Sequence, residues 1–476
     1  MKRIQEITSV FATPDYLVNR NLTISNKNGA LLYNPDMTDS LLVSRLLVAL
    51  ENCREWRITA KKIAQNVSSV AETSLTCDME KARDSVLSGD AIVVVDGVEQ
   101  MVIINLRKWD KRAIAEPPTA TVMRGPREGF IEDVKTNLSL LERRLKSPAF
   151  AIEKLTVGRV SNTTVAIVYL SNIVDKALVR EVCARIKSID VDAIIDSHYL
   201  QPYLEDRPFS LFHQTGVTEK PDIVASKLLE GRVAIIVDGS PMVITVPFML
   251  IEDYQSSEDY YERASLASFL RIIRVLALFF SILLPGLYVA LEQYHYSVIP
   301  MRFLLTVMTA VNGIPLSPIT EILFVILLFE LIREASVRMP RAVGMAMSIV
   351  GALVLGDTAV KAGIISSPAV MITALSSIAL YTAPNQEGTL TLLRVVFTLI
   401  GGLGGMYLLL VGILYLLLYL CSLNGFGVPY MAPFAPLIKQ DLGDSVYRVS
   451  LLRMDKRPVS IKNTNANRYG ENNGKR

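Results

Sequence analysis

The chain has 476 residues, 51% of them hydrophobic, with a net charge of +3 and a mean hydropathy of +0.35. The near-neutral balance of 49 basic and 46 acidic side chains argues against nucleic acid as a partner, and no cofactor or metal motif is legible. The four cysteines, Cys53, Cys77, Cys183 and Cys421, form no C-x-x-C pair, so neither zinc nor a disulfide framework is indicated.

The opening residues, MKRIQEITSV, lack the apolar core of a signal peptide, so the long polar region that follows is expected in the cytoplasm. This region contains an internal repeat. LSGDAIVVVDGVEQMVI from Leu87 aligns without gaps to LEGRVAIIVDGSPMVIT from Leu229, an offset of 142 residues. Each copy follows a helical stretch (78–87 and 221–229) and carries an Asp-Gly turn, Asp96-Gly97 or Asp238-Gly239, between two apolar runs. That is a hairpin pattern, because glycine supplies the positive φ of the turn.

Two related α/β subdomains are therefore expected, residues 1–115 and 116–265. Between the hairpins, 164–170 (TVAIVYL) reads as a buried strand and 175–187 as a helix with Leu178, Val182 and Ile186 on one face. Residues 191–195 read as another strand, and this β-α-β order predicts parallel pairing. The segment 116–129, rich in proline and charge, reads as the boundary. Its Arg124-Gly125-Pro126-Arg127-Glu128 can offer guanidinium and backbone donors to an anion, or form a salt-bridge clasp through Glu128, Glu132 or Asp133.

The character of the chain changes near Arg271. Residues 272–291 (IIRVLALFFSILLPGLYVAL) carry Arg274 as their only charge, and about 20 such residues cross a bilayer core as a helix. Further apolar runs occupy 315–331, 342–360, 368–383 and 392–423, giving a helical transmembrane domain over 266–440. Arg271, Arg274 and the basic tail predict both ends on the cytoplasmic side, and thus an even number of crossings. Five runs conflict with that parity. The run 392–423, broken by Gly401-Gly402-Leu403-Gly404-Gly405, reads as a helical hairpin, one long tilted helix, or a span with a re-entrant piece; 301–318 is a second re-entrant candidate. The tail, 441–476, is basic, and its poverty in apolar residues after Arg457 predicts disorder.

Small residues recur every four positions at Gly344, Ser348, Ala352 and Gly356, and Gly401 and Gly405 repeat the spacing. Such a stripe serves tight packing within one subunit, a subunit seam, or a pore. Asp357 and Lys361, at i and i+4, can pair at a membrane boundary or face an ion path. Glu330 can pair with Arg333, whereas Glu321 has no close partner in sequence and is the sharper ion-coordinating candidate. Enzymatic chemistry finds no support: His198, His213 and His295 are scattered, and neither H-E-x-x-H nor G-x-S-x-G occurs.

Several motifs carry a family resemblance. Arg124-Gly125-Pro126-Arg127-Glu128 with Phe130, Glu132, Thr136 and Asn137 resembles the hallmark of the A subunits of GerA-type spore germinant receptors. Pro221-Asp222, Val237-Asp238-Gly239-Ser240-Pro241, Asp259-Tyr260-Tyr261, Arg333-Glu334-Ala335, IVGALVLGDTAVKAGIISSPAV from Ile349, and Gly427-Val428-Pro429-Tyr430 continue it in order. Asp357-Thr358 and Gly443-Asp444-Ser445-Val446-Tyr447 depart from the family pattern, and the stage V AF sporulation protein shares much of the motif set. The resemblance implies a homo-oligomeric receptor or channel subunit in lipid, in the inner membrane of a bacterial endospore, acting with a transporter-like B subunit and a C lipoprotein. A secondary transporter with a regulatory polar domain is the remaining alternative.

Overall fold

The structure, a computed structural model, describes residues 17–24, 27–53, 58–106, 124–340, 343–344, 349–351, 354–382 and 384–468. Strands β1 (Val18–Ile24), β2 (Lys27–Tyr33), β3 (Thr73–Thr76), β4 (Ala91–Val95) and β5 (Met101–Ile104) form one sheet in the order β1-β2-β4-β5-β3. Helices α1 (Ser40–Glu51) and α2 (Ala60–Val67) cover one face, and α3 (Met79–Leu87) the other. The second unit begins with α4 (Val134–Arg144) and repeats the plan. Strands β6 (Phe150–Val157), β7 (Thr163–Leu170), β8 (Gly216–Thr218), β9 (Val233–Val237) and β10 (Val243–Val246) follow the order β6-β7-β9-β10-β8, with α5 (Lys176–Lys187) and α6 (Pro221–Leu229) on opposite faces.

The repeat legible in sequence is the centre of this larger duplication. Val93 pairs with Val102 as Ile235 pairs with Ile244, the same register at the same offset. Gly97 and Gly239 have φ of 78° and 87°, as an Asp-Gly turn needs. β4 and β9 are buried along their whole length because helices cover both faces, which is why they read as unbroken apolar runs. In both copies the helix that follows the first strand pair starts on an aspartate cap: Asp39 accepts from the Leu41 N–H at 2.8 Å and Asp175 from the Ala177 N–H at 2.9 Å. The units meet where Asn34 donates to Glu142 at 3.0 Å and where Leu87 joins the core of the second sheet.

The expected parallel pairing is not found: every strand pair in both sheets is antiparallel, and residues 191–195 form no strand. Their carbonyls are taken by the β6–β7 turn, since the N–H groups of Arg159 and Val160 donate to Val191 O at 2.9 Å and Asp192 O at 2.8 Å. The short edge strand β8 takes the place in the sheet instead.

Beyond Arg263 the chain is helical. Helix α7 (Ala264–Gln293) is 30 residues, about 45 Å at the α-helical rise, enough to cross a bilayer. Helices α8 (Met301–Val311), α9 (Pro318–Arg338), α10 (Ser367–Leu380) and α11 (Glu387–Ser422) follow. Many of their apolar side chains point outward, Leu403 being 72% and Leu418 62% exposed, so these are not the core helices of a water-soluble bundle.

Helix α11 is two antiparallel legs. Its backbone leaves helical geometry at Gly404 and Gly405, the latter at φ 59°, and beyond the break Gly412 packs against Phe397 and Ile400. A continuous helix would hold residues 397 and 412 about 22 Å apart. Both outer ends return to the soluble region: Thr389 donates to Leu211 O and Tyr419 to Ser210 at 2.9 Å. The hairpin tip instead meets the far end of α7, where Tyr294 donates to Gly402 O at 3.0 Å. Of the three readings of this run, the hairpin is the one observed, and it places the C-terminal segment beside the start of α7.

That segment is ordered, contrary to expectation. Ile461 is buried, the Thr464 N–H donates to Ile173 O at 2.8 Å, and Arg457 donates to Leu229 O at 2.7 Å and Asn465 O at 2.9 Å. Backbone-directed hydrogen bonds to the second unit thus substitute for the missing apolar content through residue 468. The remaining tail residues, 469–476, lie outside the described residues.

Replacing Gly239 with Val forces a β-branched residue into positive φ and is expected to cost about 1–3 kcal/mol. Thermal unfolding of the full-length protein in detergent checks this: a midpoint lowered by several degrees is expected, and an unchanged one would reject the turn geometry.

Candidate functional site

Charged side chains converge where the soluble region meets the membrane helices. Arg271, about two turns into α7, is fully buried; its Nε donates to Asp259 at 2.8 Å and its Nη1 to the Asp444 carboxylate at 2.9 Å and to Ser445 O at 3.0 Å. Arg274 adds a second cation to Asp259 at 2.9 Å. The guanidinium groups of Arg271 and Arg448 lie 5.6 and 5.4 Å from the centre of the Tyr260 ring, whose hydroxyl donates to Asp444 at 2.9 Å. Three parts of the chain are thereby tied: the 257–262 linker, the first membrane helix, and the segment after the last one.

The residues 124–128 contribute to this junction. Arg124 pairs with Glu262 at 2.6 Å, Glu128 with Arg143 and with Arg144 at 2.7 Å, and a Cβ at Gly125 would sit 2.7 Å from the Tyr261 ring. The arginines of α4 hold the Glu128 carboxyl below its usual range despite partial burial. Pro126 and Arg127 continue the arm between these pairs, and the next residues latch onto the second hairpin, where the Gly239 N–H donates to Glu132 O at 2.7 Å. Glu262, which pairs with Arg124, lies in the linker, and Arg143 and Arg144, which pair with Glu128, lie in the second unit. The seam between the two α/β units is made elsewhere.

Within the bundle, Glu330 takes both Arg333, at 2.5 Å, and the fully buried Arg394 of α11, which also donates to Ser377 at 2.8 Å. Sequence reasoning reached the first of these pairs and missed the second, because Arg394 is 64 residues away and only the fold brings it near. Glu321 is 1% exposed and accepts the Ser366 N–H through one oxygen.

The small-residue positions separate. A Cβ at Gly344 would meet Ser336 O at 3.1 Å, whereas one at Gly356 would meet nothing within 4 Å among the described residues; Ser348 and Ala352 lie outside the described residues. Residues 354–359 form a π-helical stretch, a wide turn that recurs at functional positions in other proteins. Asp357 and Lys361 pair at 2.6 Å on its exposed side. Gly401 is packed inside the subunit, since a Cβ there would strike Gly286 O of α7 at 2.3 Å.

Beneath the bundle lies Asp253, buried between the second unit, the α10–α11 connection and Tyr430, with neither carboxylate oxygen in a well-formed hydrogen bond. Burial, aided by the neighbouring Glu252, pushes it up to about 7. Glu252 behaves oppositely: burial would raise it, but Arg232 and Lys227 together hold it low. A carboxyl raised in the fold binds its proton more tightly than in the unfolded chain. Its contribution is therefore present at low pH and is lost as pH rises from about 4 through 7. Replacing Asp253 with Asn is expected to flatten the fall in thermal midpoint over that window in full-length protein. An identical slope in wild type and variant would refute the assignment.

Residues 5–460 match the family described as Bacillus/Clostridium GerA spore germination protein. Spore germination protein KA of Bacillus subtilis (strain 168) is 40% identical over 398 residues, 82% of this chain and 73% of that protein. Spore germination protein GerQA of Bacillus cereus is 35% identical over 462 residues, 96% and 92% of the two chains. The crystal structure of the N-terminal domain of the A subunit of the Bacillus megaterium spore germinant receptor GerK3 is similar at 27% identity and a TM-score of 0.39, covering 52% of this chain and 92% of that one. With the family match over 5–460 running through both α/β units, the junction and the helical bundle, the chain belongs to the GerA family of spore germination proteins.

Proposed function

We propose that this chain is the A-type membrane subunit of a bacterial spore germinant receptor, an oligomeric ion-channel component that helps trigger germination when nutrients are sensed. It lies in the inner spore membrane with its α/β units toward the cytoplasm, and it acts with a transporter-like B subunit and a C lipoprotein rather than as an enzyme. The family match over 5–460 carries this reading, since it includes the soluble and the membrane parts alike.

The structure supports a helix surface suited to a pore or subunit seam. The stretch 354–361 combines open space at Gly356, a π-helical turn, and an exposed carboxylate that draws cations toward low dielectric. Ala359 and Val360 pack inward on Val325 and Ile365, whereas the Gly356 and Asp357 side of the stretch is exposed among the described residues.

The test is ion flux in liposomes containing the purified full-length chain alone or with co-purified partners. Conductance without a coupled solute gradient is expected, and Asp357→Asn should lower cation preference. Stoichiometric solute uptake by the chain alone would overturn the reading in favour of a transporter.

A further inference from the structure

We propose that Glu292 and Glu321, with the hydroxyls of Tyr288 and Ser366, form a site for a hard, oxygen-ligated cation at the end of the bundle remote from the α/β units. Glu292 is in the last turn of α7 and Glu321 in the first turn of α9, so the connection through α8 leaves the two carboxylates at the same end of the bundle. Ser366 caps α10 and gives its N–H to one oxygen of Glu321. Tyr288 is placed between Glu292 and Ser366 and interacts electrostatically with Glu321 as well.

What points to a ligand is the set of atoms left over. Glu321 is 1% exposed and its second oxygen has no hydrogen-bond partner; one oxygen of Glu292 and the Tyr288 hydroxyl are buried beside each other without a well-formed hydrogen bond. The two carboxylates repel each other, and neither has an ion-pair partner among the described residues. By contrast, Glu330, a little over two turns along the same helix, is neutralised by two arginines. Buried, unpaired carboxylates are strongly unfavourable in a membrane bundle unless a proton or a cation joins them.

The start of α10 stabilises negative charge on Glu321, which favours the cation. The ligand set is all oxygen, so it suits calcium, sodium or potassium rather than a soft metal. No three His, Cys, Asp or Glu side chains converge among the described residues, so two carboxylates and two hydroxyls serve, with water completing the shell. The inference stands on this geometry and holds whether or not the chain conducts ions.

Thermal unfolding of full-length protein in detergent tests it, first stripped with chelator in choline chloride, then with CaCl2 or KCl added. One of the two salts should raise the wild-type midpoint by several degrees, and Glu321→Gln should remove that rise. Glu292→Gln, at the half-buried edge, provides the same comparison if Glu321→Gln does not fold. No rise in wild type, a rise retained in both variants, or a midpoint that responds to pH but to neither salt, as a shared proton would give, would each overturn the proposal.

Discussion

Arg271 is the residue on which the arrangement depends. A guanidinium with no exposure to water is tolerable only when carboxylates and carbonyls surround it, and here Asp259 comes from before the first membrane helix while Asp444 and Ser445 come from after the last. The three parts cannot drift apart without stranding a buried charge. Tyr260, its ring within 5.6 Å of the guanidinium groups of both Arg271 and Arg448, fills the same junction with apolar surface. The α/β units are therefore joined to the helices through a rigid ionic joint rather than through a loose linker.

That joint is possible because of how the membrane part turns. The break at Gly404 and Gly405 reverses the last long apolar run, so both of its ends meet the α/β region from which α7 starts. At Gly286 and Gly401 the first leg of that hairpin touches α7 backbone to backbone, which a larger residue would prevent. Helices in lipid gain nothing from hiding apolar surface from water, so close backbone approach and buried ion pairs such as Glu330 with Arg394 hold the bundle instead.

The sequence revealed most where one local rule suffices. Asp96-Gly97 and Asp238-Gly239 marked both central hairpins because the turn chemistry is local, and the buried strands beside them are apolar throughout. β1, with the sequence VNRNLTI, is a half-exposed edge strand and carries no such run. Residues 191–195 have the composition of a strand, but their carbonyls serve a neighbouring turn, which only tertiary structure shows. The tail was misread for a related reason: Arg457 and Asn463 are held through backbone groups far away in sequence. Among the candidate site residues, Asp259-Tyr260 and Asp444-Ser445 were each visible as motifs, yet nothing in their spacing of 185 residues indicated that they meet on Arg271. Glu321 was legible as an intramembrane carboxylate without a local partner, and its neighbour Glu292 was not, because it falls at the end of a run where charge is ordinary.

The central claim, that one ionic joint binds the linker, the first membrane helix and the returning C-terminal segment, is tested most directly by a double-mutant cycle between Arg271→Met and Asp444→Asn. Stability of the full-length protein in detergent is read for each single variant and for the pair. A coupling of about 1–3 kcal/mol is predicted, with the double variant losing much less than the two single losses combined. Strictly additive losses would contradict the account, because they would mean that the two side chains do not depend on each other.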